Sequence, residues 1–179
     1  IYRNLPDCRI TVVEINPQVE FIARQYFKLP DDPLRLDVHI GCGADYMLSG
    51  DRQFDYLLVD GFDAEARAGA LDTEPFYQAC RARLSERGLF CANLLGHNRG
   101  FKGSVERIKA AFDGRVAVFP SCDSGNTIAF ANGGEAVDMS LNEMRERAIK
   151  LKKETGLDLG PTIGRLQLAH PLPESRLQF

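Results

Sequence analysis

The sequence predicts an α/β fold: a mostly parallel, doubly wound sheet with an antiparallel edge. Three observations predict it. First, apolar, β-branched runs of strand length recur at Ile10–Ile15 (ITVVEI), Phe54–Asp63 (FDYLLVDGFD) and Gly88–Leu95 (GLFCANLL). Second, the segments between them carry apolar residues at helical spacing, and strand–helix alternation is the pattern of crossover units. Third, two short strands, Val116–Phe119 and Thr127–Ala131, are joined by the turn-rich stretch Pro120–Asn126.

In chain order, Ile1–Leu5 reads as the last turn of a helix closed by Pro6-Asp7. Ile10–Ile15 is a buried strand with an acid, Glu14, near its end. Asn16-Pro17 then starts a helix, with Asn as N-cap and Pro at the first helical position. Val19, Ile22, Ala23, Tyr26 and Phe27 fall on one face of it. After Pro30 and Pro33, Leu34, Leu36, Val38 and Ile40 alternate with polar residues, as in a strand near a sheet edge. Gly41-Cys42-Gly43 makes a tight turn into a short helix through Tyr46-Met47-Leu48. Tyr56–Val59 is apolar enough for a strand buried on both faces. Ala64–Ala70 reads as a mobile loop. Asp72 or Thr73 caps the next helix, with Pro75 in its first turn and Phe76, Tyr77, Cys80 and Leu84 on its apolar face.

Gly88–Leu95 is again a buried strand, followed by Gly96-His97-Asn98. Val105, Ile108, Ala111 and Phe112 mark a helix. Ser140 and Glu143 have capping-box spacing for a helix through about Glu154. Gly156–Phe179, with Pro161, Pro171 and Pro173, is expected as a loosely packed tail. The chain thus divides into a domain over residues 1–155 and a tail over 156–179.

Composition narrows the function. At 179 residues, 44% hydrophobic and 26% charged, the chain is an ordinary globular one. A formal net charge of −3 points to neither nucleic acid nor an anionic membrane as partner. No apolar run reaches spanning length. The five cysteines, Cys8, Cys42, Cys80, Cys91 and Cys122, are scattered and form no C-x-x-C pair. Reduced thiols in a cytoplasm are therefore expected, with no metal-ligand spacing. His39, His97 and His170 are far apart and read as structural or solvated.

The acids carry the chemistry. Asp60 and Asp63 end a strand with Gly61 between them, where ligands of open α/β sheets sit. They serve either catalysis or cation binding; the plainer alternative makes Asp60 a turn cap and Asp63 a solvated side chain. Glu14 ends an earlier strand, and a carboxylate there suits a ribose diol, with two acceptor oxygens for two donors. The alternative is a surface glutamate. Asn93 either bonds a ligand or makes a strand-end polar contact. Tyr77 reads as core, Cys91 as a small buried hydrophobe, and Ser121–Asn126 as a pocket mouth or a plain hairpin turn.

Four runs, TVVEINPQVEFIARQYFKLP, HIGCGADYML, FDYLLVDGFDAE and LDTEPFYQACRARLSERGLFCANLL, resemble the C-terminal domain of spermidine synthases, the polyamine aminopropyltransferases. The resemblance spans roughly Leu5 to Ala131. It rests on the VE-x-x-P strand-to-helix step, the D-x-x-D pair, and an FY-x-x-C-x-x-x-L helix before a GxF strand. It implies a Rossmann-like fold of the S-adenosylmethionine-dependent methyltransferase type. It further implies transfer of an aminopropyl group from decarboxylated S-adenosylmethionine to a diamine, with no tightly bound cofactor and no metal. Carried over, Glu14 holds the ribose and Asp60 faces the attacking amine. Asp63 lies near the cationic substrate or the adenosyl end. Cys42 and Gly43 stand on the adenine side. The partners implied are a nucleoside donor, a diamine and a second copy of the chain in a homodimer.

The sequence also departs from that family. Its glycine-rich loop and first strand would precede Ile1. That strand would lie in the middle of the sheet, so these residues are expected to be part of a longer protein. Cys42 replaces the acid that usually recognises the adenine amino group, and a thiol is a weak hydrogen-bonding group, so that recognition is left to Asp45 or to backbone. The usual D-S-S-D-P becomes Asp60-Gly61-Phe62-Asp63-Ala64. Two other readings remain open: an S-adenosylmethionine-dependent methyltransferase, and a non-catalytic spermidine synthase-like protein.

Overall fold

The computed structural model describes residues 1–96, 99–120, 125–169 and 172–179. They divide into two compact units, Ile1–Asp51 and Arg52–Phe179.

In the first unit, strands β1 (Ile10–Glu14) and β2 (Leu36–Ile40) pair in parallel, in register from Ile10 with Leu36 to Glu14 with Ile40. Helix α1 (Pro17–Phe27) is the crossover between them, as a parallel pair requires. Its start follows the sequence: the Asn16 side chain accepts the Gln18 N–H at 2.9 Å, and Pro17 opens the first turn. Helix α2 (Gly43–Ser49) follows β2. Ile1–Leu5 forms one hydrogen-bonded turn, with the Leu5 N–H on the Ile1 carbonyl at 2.9 Å. Arg35 ties that turn down. Its guanidinium lies 4.2 Å from the Tyr2 ring centroid and donates to the Tyr2 and Leu5 carbonyls at 2.9 Å each.

In the second unit, β3 (Phe54–Val59), β4 (Leu84–Leu95), β5 (Val116–Val118) and β6 (Asn126–Asn132) form a sheet in the order β3-β4-β6-β5. β3 and β4 are parallel, and β6 runs antiparallel to both β4 and β5. The close strand pair read from the sequence thus forms the antiparallel side of the sheet. Helices α3 (Glu74–Ala82) and α4 (Phe101–Ala111) pack on β4 and on each other. Phe90 and Phe112 are fully buried between them, with ring centroids 5.2 Å apart. Tyr77 meets Phe90 edge-on at 5.8 Å.

Three expectations need correction. Leu84 belongs to β4, not to the face of α3. The Arg83 carbonyl accepts the Phe54 N–H at 2.8 Å and draws the chain into the sheet at once. The register then slips before Leu89, at Gly88, where a Cβ would stand 2.9 Å from the Phe54 carbonyl oxygen. Second, β3 is not buried on both faces. Tyr56 and Leu58 are 64% and 58% exposed, so the face of β3 that carries them is uncovered among the described residues.

Third, residues 156–179 are not a loose tail. They form helix α6 (Gly160–Ala169) and strand β8 (Arg176–Gln178). β8 pairs antiparallel with β7 (Asp138–Ser140), and Val137 and Phe179 exchange backbone bonds of 2.7 and 3.0 Å. Pro161, read as a loop signal, sits in the first turn of α6, where its missing N–H leaves no bond unmade. Helix α5 (Leu141–Thr155) has the expected capping box: the Glu143 N–H on Ser140 Oγ at 3.2 Å, the Ser140 N–H on the Glu143 carboxylate at 2.9 Å. Its Leu141 and Ala148 pack with Ile163 of α6 into a small core.

Candidate active site

The first unit brings three predicted residues to one rim. Glu14 closes β1, opposite Ile40 at the end of β2, and the Glu14 carbonyl accepts the Gly41 N–H at 2.9 Å. Cys42 and Gly43 follow at once, Cys42 as the N-cap of α2 and Gly43 as its first residue. The Cys42 side chain makes no capping bond and its thiol is free and half-buried. One oxygen of the Glu14 carboxylate accepts the Asn16 N–H at 2.8 Å. A carboxylate has a second oxygen with which to accept from a ligand.

The second unit places Asp60 directly after β3. Its Oδ1 accepts from Nδ2 of Asn93 at 3.0 Å, and Asn93 follows Ala92, the partner of Val59, on β4. A flipped Asn93 amide would set two acceptors face to face, so Asp60 fixes its orientation. The Asn93 Oδ1 is buried and has no hydrogen-bond partner among the described residues. A buried acceptor left so is costly unless something completes it. Cys91, two residues earlier on the same face of β4, has its thiol pushed up by burial and then by the Asp60 charge. It is half-buried, short of the buried hydrophobe expected.

Asp63 is engaged within its own loop. Its Oδ1 accepts the N–H groups of Glu65 at 3.0 Å and Arg67 at 2.8 Å, and its Oδ2 accepts from Arg67 Nε at 2.9 Å. The Arg67 amide, with the guanidinium behind it, holds the carboxyl below its usual range. The loop closes at its base: a Cβ on Gly61 would lie 2.6 Å from Leu71 Cδ1. Beyond Leu71, Asp72 accepts from the Tyr77 hydroxyl and the Ser104 hydroxyl at 2.8 Å each, and from the Arg107 guanidinium at 2.5 Å. Asp72 therefore anchors the loop to α3 and α4, and Thr73 takes the N-cap position without a side-chain cap. Tyr77 is core, as expected, its hydroxyl raised by burial and then by the bond to Asp72.

The structure thus joins Glu14, Cys42 and Gly43 at one rim, and Asp60 with Asn93 at another. Sequence reasoning missed Arg67 and read Asp72 only as a helix cap. The four-residue step from Asp63 to Arg67 was a usable signal; the partners of Asp72 on α4 lie 32 and 35 residues away and carry no local signal. His97 and Asn98, and residues 121–124 of the Ser121–Asn126 turn, lie outside the described residues. Among the described residues no helix is long and apolar enough to cross a membrane, and no group of three His, Cys, Asp or Glu could hold a metal ion.

Comparison with known proteins bears on the family and the fold. Residues 6–117 match the spermine/spermidine synthase domain. A polyamine aminopropyltransferase of Neisseria meningitidis is 35% identical over 93% of this chain, which spans 64% of that relative's length. Human methyltransferase-like protein 13, solved in complex with SAH, superposes with a TM-score of 0.74 at 25% identity, covering 85% of this chain and 73% of that one. A spermidine synthase in complex with the transition state analogue AdoDATO superposes with a TM-score of 0.57 at 30% identity, covering 70% of this chain and 45% of that one.

Proposed function

Because the chain belongs to the spermine/spermidine synthase family, we propose that it transfers an aminopropyl group from decarboxylated S-adenosylmethionine to a diamine such as putrescine. The observation that carries this reading is Asp60 at the end of β3, its carboxylate bonded at 3.0 Å to the amide of Asn93, in a chain of that family.

In this reading the neutral nitrogen of the diamine attacks the methylene carbon beside the sulfonium. A nitrogen–carbon bond forms, and the carbon–sulfur bond breaks with its electron pair passing to sulfur. Methylthioadenosine leaves, and the proton shed by the nitrogen passes to Asp60. Asn93 holds the Asp60 carboxylate in one orientation, and its free Oδ1 accepts a second N–H. Alignment of nitrogen, carbon and sulfur supplies much of the acceleration. Glu14 accepts from the ribose hydroxyls. Cys42 is too weak a partner to select adenine, so recognition there falls to backbone groups beside Cys42 and Gly43. An adenosyl ligand is supported by the SAH and AdoDATO held in the structural neighbours.

The test is a product assay with putrescine and either donor. Decarboxylated S-adenosylmethionine should yield methylthioadenosine and spermidine in equal amounts, and S-adenosylmethionine should yield no S-adenosylhomocysteine. Methyl transfer is the second reading, because a methyltransferase-like protein shares the fold and fold alone does not choose between the two reactions. That reading requires S-adenosylhomocysteine and no methylthioadenosine. No product from either donor would leave the non-catalytic scaffold.

A further inference from the structure

The second acid of the pair already has a cation. Arg67 sits in a ring closed by its own backbone: the Asp63 N–H donates to the Arg67 carbonyl at 2.9 Å, and the Arg67 N–H returns to Asp63 Oδ1 at 2.8 Å. Its guanidinium then spans Asp63 at 2.9 Å and Glu65 at 3.0 Å. Ala66 is held at φ 59°, a left-handed conformation that disfavours a side chain, so the ring's bonds offset a local penalty. The base of the loop is fixed by Leu71 against Gly61 and by Asp72. The guanidinium is thus delivered to Asp63 by the fold of the loop. Asp60, by contrast, is bonded to a neutral amide.

We propose that Arg67 is a specificity-determining residue: a built-in counter-ion that competes with the acceptor's distal ammonium for Asp63. The inference rests on the amine-acceptor reading above. A diamine has two nitrogens to place. One reaches Asp60 for attack, and the other, charged, must share Asp63 with Arg67, whose guanidinium already neutralises that carboxylate. A monoamine of the same length needs Asp60 alone. Arg67 therefore lowers the preference for diamines over monoamines without touching the reacting nitrogen. The competitor is weak, because the Arg67 side chain is 67% exposed and its pairing is screened. It tunes selectivity and does not block the site.

Calorimetric titration at low salt with putrescine and with n-butylamine, on the wild-type protein and on Arg67→Gln and Arg67→Lys, tests this. Arg67→Gln should tighten putrescine binding by about two- to fivefold, the range expected for one exposed ion pair, and leave n-butylamine unchanged. Arg67→Lys keeps the charge and should stay near wild type. Asp63 keeps its two backbone donors in either variant, so the loop should hold, and an unchanged melting temperature checks that. An unchanged putrescine-to-butylamine ratio in Arg67→Gln overturns the proposal, as does equal tightening of both amines or no amine binding in any variant. Methylthioadenosine is titrated in parallel. Its failure to bind would count against aminopropyl transfer, while the amine ratio would still decide the role of Arg67.

Discussion

Helices α1 and α3 both carry apolar residues at helical spacing, yet they end in opposite states. In α1, Tyr26 and Phe27 are 76% and 77% exposed and no residue is buried. In α3, Phe76 and Tyr77 are 2% and 1% exposed. The difference lies in what faces them. α3 has α4 and the aromatic side chains of β4 and Phe112 to close on; among the described residues nothing buries the apolar side of α1. A periodic stripe states which side of a helix is apolar, and burial needs a surface to meet it. The two acid rims follow the same division. Glu14 stands on a thin sheet and leans on a backbone N–H. Asp60 stands on a packed one and is held by a side chain from the neighbouring strand.

The sharpest break of that comparison is chemical. Asp60→Asn should lower turnover by about 10²- to 10⁴-fold while methylthioadenosine binds as before. Glu14→Gln should do the reverse, weakening methylthioadenosine by about tenfold with turnover preserved at saturating donor. Steady-state kinetics and calorimetry on both variants separate the roles; matching profiles would remove the distinction between the rims.

Packing comes next. Phe90→Ala opens a cavity in the second unit and should cost about 3–5 kcal/mol in urea unfolding. Phe27→Ala should stay within about 0.5 kcal/mol. A large loss at Phe27 would mean that α1 has a partner surface after all. A smaller contrast tests anchoring. Asp72→Ala strands the buried Tyr77 hydroxyl along with Ser104 and Arg107 and should cost about 1–3 kcal/mol. Asp32→Ala in the first unit frees only the Tyr2 hydroxyl, bonded to it at 2.7 Å, and should cost less than about 1 kcal/mol.

The smallest effect is one of pH. The Asp63 carboxyl is lowered from its ordinary 3.8 in the folded chain. Its contribution to the Asp63–Arg67 ring is therefore complete above that value and disappears as pH falls through the lowered one. Amide resonances of Glu65 and Arg67, which donate to this carboxylate, should shift together in that acid window. Titration at or above 3.8 would mean that the ring does not form.

Much of the molecule is written locally. The Asn16-Pro17 helix start, the Ser140–Glu143 capping box, the strand-ending acids Glu14 and Asp60, and the closing antiparallel strand pair all depend on neighbours a few residues away. They could be read from spacing alone. The family resemblance read from the four runs, and the fold it implied, came from the same local words, and the domain match over residues 6–117 agrees with it.

Tertiary structure decided the rest, for one physical reason: burial and pairing are properties of two surfaces, and a sequence shows one at a time. Leu84 looks like the next turn of α3 until Phe54 bonds to Arg83. Pro161 looks like a loop until α6 has α5 to pack against. Asp72 is a plausible cap in sequence; what it holds comes from α4, more than thirty residues on. Asp63 reads as an open carboxylate, and only the folding of its loop brings Arg67 back onto it.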